Sequence, residues 1–207
     1  MSSEAIRLLH SMEWRSSPPR QQIRRYFEAL GIPDGMTKES AWDRLESRFP
    51  NELDVFMDAN AAVEGTERSA LYACKNVSLE FSLLVGIYGR GDFHRSIMRW
   101  LSEAKLQPKH VLDVGCDNGI LTCFFALLWP DASILGIDLS PGGVARAGDL
   151  AAKLGASNTR FEVCALERFI TEKTGTTFDL VLTTTFLQEA GYFPEAPDRR
   201  FYDTAFQ

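Results

Sequence analysis

Four short runs rich in β-branched and apolar residues punctuate the second half of the chain: HVLDVG (110–115), SILGIDL (133–139), TRFEVC (159–164) and FDLVLTTT (178–185). Between the first two lies GILTCFFALLW (119–129), which is apolar all round and reads as a buried helix. Between the second and third lies PGGVARAGDLAAKLG (141–155), helical in pattern, with Gly155 as its stop. Strands alternating with helices predict βαβ units and a mainly parallel sheet, flanked by helices. Right-handed crossovers then place the carboxyl ends of the strands, and the loops that follow them, on one edge where ligands bind.

The first ninety or so residues read differently. Apolar spacing predicts a helix over Ser3–Trp14. SSPP interrupts it, and Pro19 opens a second helix carrying Ile23, Phe27 and Leu30 on one face, with Gly31 at its end. Ser40 with Asp43 suggests a capping box, although the helix around Trp42, Leu45 and Phe49 has an alternative start near Thr37. Further helices are expected from Glu52 to Val63, from about Glu67 towards Tyr88, and from about Phe93 to Lys105, with YGRGD (88–92) as a loop. The expected organisation is an all-helical region, 1–90, serving as lid, dimer surface or substrate recognition, followed by a Rossmann-like α/β domain, 91–207.

The chain has 207 residues, 45% of them hydrophobic, enough to bury a substantial core. A net charge of −6 does not favour nucleic-acid or membrane partners, and no apolar run approaches the length of a membrane span. The N-terminus does not read as a signal peptide. Cys74, Cys116, Cys123 and Cys164 form no CxxC pair, so structural zinc is not expected; reduced thiols in a cytoplasmic protein are.

VLDVGCDNG (111–119) holds most of the chemical information. A dinucleotide would place its pyrophosphate on the following helix and favour GxGxxG, but Asp117 stands where the middle glycine belongs. Asp113 adds a second carboxylate, and both would repel a pyrophosphate. A cationic ligand suits this charge pattern. S-adenosylmethionine, with a sulfonium and an α-ammonium, is such a ligand. Asp138, at the end of the second run, falls close to the spacing expected of a ribose-binding acid. That requirement is shared by NAD and S-adenosylmethionine.

VLDVGCDNG, ILGIDLS, the RFEVCALE segment and FDLVLTTTFLQE resemble, in this order, the motifs of the class I S-adenosylmethionine-dependent methyltransferases, from about Tyr88 to Tyr192. By that resemblance Asp113, Gly115, Cys116, Asp117 and Gly119 would surround the methionine and sugar of the cofactor. Asp138 would hold the ribose, Leu139 would pack on adenine, Cys164, Ala165 and Leu166 would line the adenine edge, and Thr183 would lie near the transferring methyl. The implied fold has strand order 3-2-1-4-5-7-6. Ala165 departs from the acidic residue often found after the third strand. The chain also ends soon after the fourth, so only about four strands are expected, and a truncated protein, or a homodimer or partner chain covering the fourth-strand edge, is expected with them.

A small-molecule methyltransferase is the leading expectation. A cofactor-binding module without catalysis and a nucleic-acid-directed methyltransferase are the alternatives. LGIPDGMTKESAWDRL (30–45) resembles part of a SAP-type DNA-binding module, and Arg20, Arg24 and Arg25 could add phosphate contacts. Interleaved acids favour an ordinary solvated hairpin instead. No base stands out: His94, Glu189, Tyr88 and Tyr192 are candidates, whereas His10 has no tie to the site and His110 starts its strand at the far end. The fourth segment lacks an Asn/Asp-Pro-Pro-aromatic signature. The sequence names no metal site.

Overall fold

The computed structural model describes residues 3–63, 68–172 and 175–184. Seven helices come first: α1 (Ser3–Leu9), α2 (Met12–Ser16), α3 (Pro19–Ala29), α4 (Lys38–Arg48), α5 (Pro50–Ala61), α6 (Ser69–Lys75) and α7 (Leu79–Glu103). Then strands and helices alternate as β1 (His110–Val114), α8 (Ile120–Leu128), β2 (Ser133–Asp138), α9 (Pro141–Leu154), β3 (Thr159–Val163), α10 (Leu166–Glu172) and β4 (Leu180–Leu182). The sheet is parallel with order β3-β2-β1-β4. This is the Rossmann-like arrangement expected, down to the order of its first four strands. Among the described residues β4 pairs only with β1, and Val181 on it is 51% exposed.

Local rules account for most boundaries. Pro19 sits in the first turn of α3, and Gly31, at φ +78°, closes it while Ile32 N–H bonds back to the Phe27 carbonyl. Thr37, not Ser40, caps α4, and Ser40 answers from the third helical position. Gly155, at φ +68°, stops α9.

Three expectations are corrected. The single helix over Ser3–Trp14 is broken: Ser11 caps a new start by accepting from Trp14 N–H, and His10 swings out to the Leu154 carbonyl at the end of α9, 2.7 Å away. The helix expected from Glu67 towards Tyr88 is two helices, α6 and α7, between which the chain turns through 116°. Ser78 caps the second by accepting from Phe81 N–H, and Asn76 bonds to the Ser82 hydroxyl at 2.6 Å. Conversely, YGRGD is not a loop. It lies inside α7, where only Arg90 leaves helical geometry, at φ −143° and ψ 15°. Burial of α7 up to Ile87, and again from Met98, holds both halves in place across two glycines that would weaken an isolated helix. The boundary drawn between residues 90 and 91 falls at this kink.

The main core is shared between the N-terminal helices and one face of the sheet. α8 lies at its centre. Phe124 is fully buried and meets Trp14 and Tyr26 edge-on, at centroid distances of 5.9 and 5.2 Å. The Tyr26 hydroxyl donates to the Ile120 carbonyl at 2.8 Å, tying α3 to the first turn of α8. A smaller cluster, Leu112, Val114, Ile137 and Phe169, fills the other face of the sheet under α10. No single helix among the described residues is long and apolar enough to cross a membrane.

Tyr26→Phe should therefore lower stability by about 1 kcal/mol, the net worth of one buried hydrogen bond. Urea denaturation of the two proteins measures it, and an unchanged midpoint would contradict the tie.

Candidate functional site

The β1–α8 loop crosses the carboxyl edge of the sheet. Gly115 N–H and Cys116 N–H both donate to the Ile137 carbonyl, at 2.8 and 3.1 Å, which binds the loop to β2. Three residues here have positive φ: Gly115 (76°), Asp117 (47°) and Gly119 (75°). At Gly119 the need for glycine is also steric, because a Cβ would come within 2.8 Å of the Ala147 Cβ on α9. Gly119 thus serves the packing of loop against helix.

The three carboxylates expected around the ligand have different positions. Asp113 lies in the interior, 1% exposed. Its Oδ2 accepts from the Thr122 hydroxyl at 2.5 Å, while Oδ1 is buried with no hydrogen-bond partner among the described residues. Burial pushes its carboxyl up to about 6, with a smaller push from Asp138, against the pull of Thr122. Asp138 bridges two backbone donors: Oδ2 accepts from Asp117 N–H at 2.8 Å and Oδ1 from Ser140 N–H at 2.7 Å. Burial raises its carboxyl despite these bonds.

Asp117 is engaged from the N-terminal region. Its Oδ2 forms an ion pair with Lys75, and its Oδ1 accepts from the Asn76 side chain at 3.3 Å. Burial pushes its carboxyl up, but Lys75 and Asn76 outweigh that and hold it below the usual carboxylate range. Its charge is therefore already balanced inside the protein, which the motif by itself did not indicate. Neither Lys75 nor Asn76 carries a local signal, since they sit on a different helix some forty residues earlier. Thr122 had a faint one, as the hydroxyl within ILTCFFALL.

The other expected residues gather on the same edge. Leu139 follows Asp138 and is 66% exposed, an apolar surface beside the strand end. Cys164 N–H donates to the Asp138 carbonyl at 3.0 Å, which sets Ala165 and Leu166 against the end of β2. Leu166 begins α10, so this segment enters a helix. Thr183 follows β4 and is exposed. The Cys116 side chain is buried under the loop, its thiol pushed up by burial and by the surrounding carboxylates.

Asn118 closes the loop from within. Its side-chain nitrogen donates to the Ser82 carbonyl and hydroxyl on α7, at 3.2 and 2.9 Å, and its oxygen accepts from Ile120 N–H at 3.3 Å. Gly119 N–H is bound to the Cys116 carbonyl at 2.9 Å. Two of the first donors of α8 are thus satisfied internally, which leaves a poor cradle for a pyrophosphate.

Among the candidate bases, His94 is half-buried on α7, and its Nδ1 is buried with no partner among the described residues. Burial and the cations Lys75, Arg90 and Arg95, against the opposing Asp117, push the imidazole down to about 4. It is neutral at physiological pH. His110 sits at the opposite edge, where its N–H and that of Lys109 donate to Asp179. Glu189 and Tyr192 lie outside the described residues. Among the described residues, no three His, Cys, Asp or Glu side chains converge as metal ligands.

Residues 106–198 match a family model described as a methyltransferase domain. The malonyl-(acyl-carrier protein) O-methyltransferase of Paenibacillus sp. (strain JDR-2) is 28% identical over 97 residues, 47% of this chain and 35% of that protein. The enzyme of that name from Acetivibrio thermocellus is 35% identical over 78 residues, 38% of this chain and 25% of that protein. The matched segment spans about a third or less of these relatives. Among solved structures, coclaurine N-methyltransferase bound to N-methylheliamine and S-adenosylhomocysteine has a TM-score of 0.43 at 15% identity, covering 87% of this chain and 55% of that one. Magnesium protoporphyrin IX methyltransferase from Synechocystis PCC 6803 with bound S-adenosylmethionine has a TM-score of 0.42 at 17% identity, covering 76% and 66%.

The state of Asp113 is testable by pH. Its folded carboxyl stands at about 6 against an ordinary 3.8, so the folded protein holds that proton more tightly than the unfolded chain does. Its contribution to stability therefore falls as pH rises between those two values and is level above them, about 3 kcal/mol in all. Asp113→Asn should remove this slope, gaining on the wild type between pH 4 and pH 7 in denaturant titrations. Parallel pH profiles for the two proteins would refute the assignment.

Proposed function

We propose that the protein is a class I S-adenosylmethionine-dependent methyltransferase acting on a small molecule, a reading supported by the match of residues 106–198 to a methyltransferase domain model. The observation that carries this reading is the coincidence of the matched segment with the strand–loop–helix edge just described. Gly115–Gly119, Asp138, Leu139, Ala165, Leu166 and Thr183 all fall within it, on one edge of a parallel sheet.

The residues fit the cofactor by their chemistry. Asp138 has lone pairs left beyond its two backbone bonds to accept from ribose hydroxyls. Leu139 offers apolar surface to an adenine, with Ala165 and Leu166 beside it. Asp113 keeps one buried oxygen without a partner among the described residues, under the loop. When bound, S-adenosylmethionine supplies a methyl already activated on a sulfonium. The protein's share is then to bind, orient and exclude water. His94 is neutral, but burial and the neighbouring cations make its imidazole a weak proton acceptor, so it is not assigned as the base.

The nucleic-acid alternative finds little support. Arg24 pairs with Glu28, Arg25 with Glu13, and Arg44 and Arg48 with Glu80, so most of the basic groups of this region are locally balanced. Calorimetric titration with S-adenosylhomocysteine, with NADH as control, tests the cofactor. Micromolar binding of the first alone is expected. Asp138→Ala should weaken it by about 1–3 kcal/mol, the usual loss for bonds to a charged group. Preferential binding of NADH would overturn the reading.

A further inference from the structure

Strand β3 ends the sheet on one side. Among the described residues it pairs with β2 alone, so its outer side is open. The Asn158 carbonyl accepts from Ile134 N–H, and Cys164 N–H donates to the Asp138 carbonyl, both at 3.0 Å. Even-numbered residues of this segment therefore turn their backbone groups towards β2. Phe161 and Val163 turn theirs outwards, as does the Thr159 carbonyl, while Thr159 N–H is bound to the Ala156 carbonyl at 3.3 Å. Val163 is 50% exposed. Beside the strand, under α9, runs an open groove of about 580 Å³ lined by Val144, Gly148, Ala152, Gly155 and Phe161. A Cβ on Gly148 would meet nothing within 4 Å.

We propose that this side of β3, with the groove beside it, is the interface of a homodimer in which two copies of β3 pair antiparallel about a two-fold axis at Phe161. The charges of the strand carry the argument. An open strand is normally protected by charged side chains that repel a second copy. In TRFEV, Arg160 and Glu162 stand symmetrically about Phe161 and have opposite signs. Across the axis each Arg160 faces the partner's Glu162, and each Thr159 faces the partner's Val163. The outward backbone groups fit the same register. Phe161 exchanges both bonds with its counterpart, and Val163 N–H reaches the partner's Thr159 carbonyl. Arg160 and Glu162 then occupy the positions without backbone bonds, where facing side chains stand closest. A slip of two residues either way sets Arg160 against Arg160 or Glu162 against Glu162, so the charges also select the register. The axis is perpendicular to the sheet and brings the partner's α9 to the same face, where the small residues of the groove leave room for it. This surface is separate from the β4 side, whose three residues, Leu180–Leu182, carry no charge, and the proposal does not depend on the cofactor reading.

Sedimentation velocity on the 207-residue chain tests it. The wild type should be a dimer at about 100 μM. Arg160→Glu and Glu162→Arg should each raise the dimer dissociation constant at least about tenfold, because each sets two like-charged pairs across the axis. An equal mixture of the two variants should dimerise again, since every facing pair is then of opposite sign. A wild type that stays monomeric at about 100 μM would overturn the proposal without any variant. A dimer that neither substitution weakens would also overturn it, by placing the contact elsewhere, and so would two monomeric variants that stay monomeric when mixed. Hydrogen exchange of the wild type needs no variant to fold. Phe161 and Val163 N–H should exchange more slowly at about 100 μM than at about 1 μM, and equal rates would count against the interface.

Discussion

The structure depends on a helix that has no polar face. Every residue of α8 from Ile120 to Leu127 is buried, so the sheet can cover only half of it. The other half needs a second apolar layer, and the N-terminal helices supply it, through Trp14, Tyr26 and Phe27 against Phe124 and its neighbours. Leaving that face in water would cost roughly 25 cal/mol for every Å² of apolar surface. The helical region is consequently part of the core that supports the α/β half.

That arrangement has a consequence at the loop. With the N-terminal helices held against α8, α7 runs beside the β1–α8 loop, and Ser82 meets Asn118. The bend before α7 then brings Lys75 and Asn76 onto Asp117. Three carboxylates close together in a partly buried site would repel one another strongly. The protein relieves this in three ways: a hydroxyl and a raised carboxyl at Asp113, two backbone donors at Asp138, and an ammonium at Asp117.

Where local signals were strong, sequence and structure agree. Pro19, Gly31 and Gly155 mark helix ends by backbone chemistry that neighbours do not alter. The four strand runs are legible for the same reason, since their composition suits a buried parallel sheet and little else. Errors came where tertiary packing overrides local preference. YGRGD has the composition of a loop, yet it continues a helix anchored by burial at both ends. His10 and Asn76 look like ordinary helical residues, yet each leaves its helix for a distant partner, the Leu154 carbonyl and the Asp117 carboxylate. The candidate site follows the same division. Asp113, Gly115, Asp117 and Asp138 were readable from one motif and one spacing, but the partners of those carboxylates were not.

The sequence by itself determined the class of fold and the residues of the loop at the carboxyl edge of the sheet, because periodicity, glycine placement and strand-end acids act over a few residues. Only the tertiary structure decided the charge state of that edge. Lys75 and Asp117 are far apart in the chain, and no local pattern encodes their meeting. It follows from how a helix with no polar face is covered, and burial then sets how strongly the two charges act on each other.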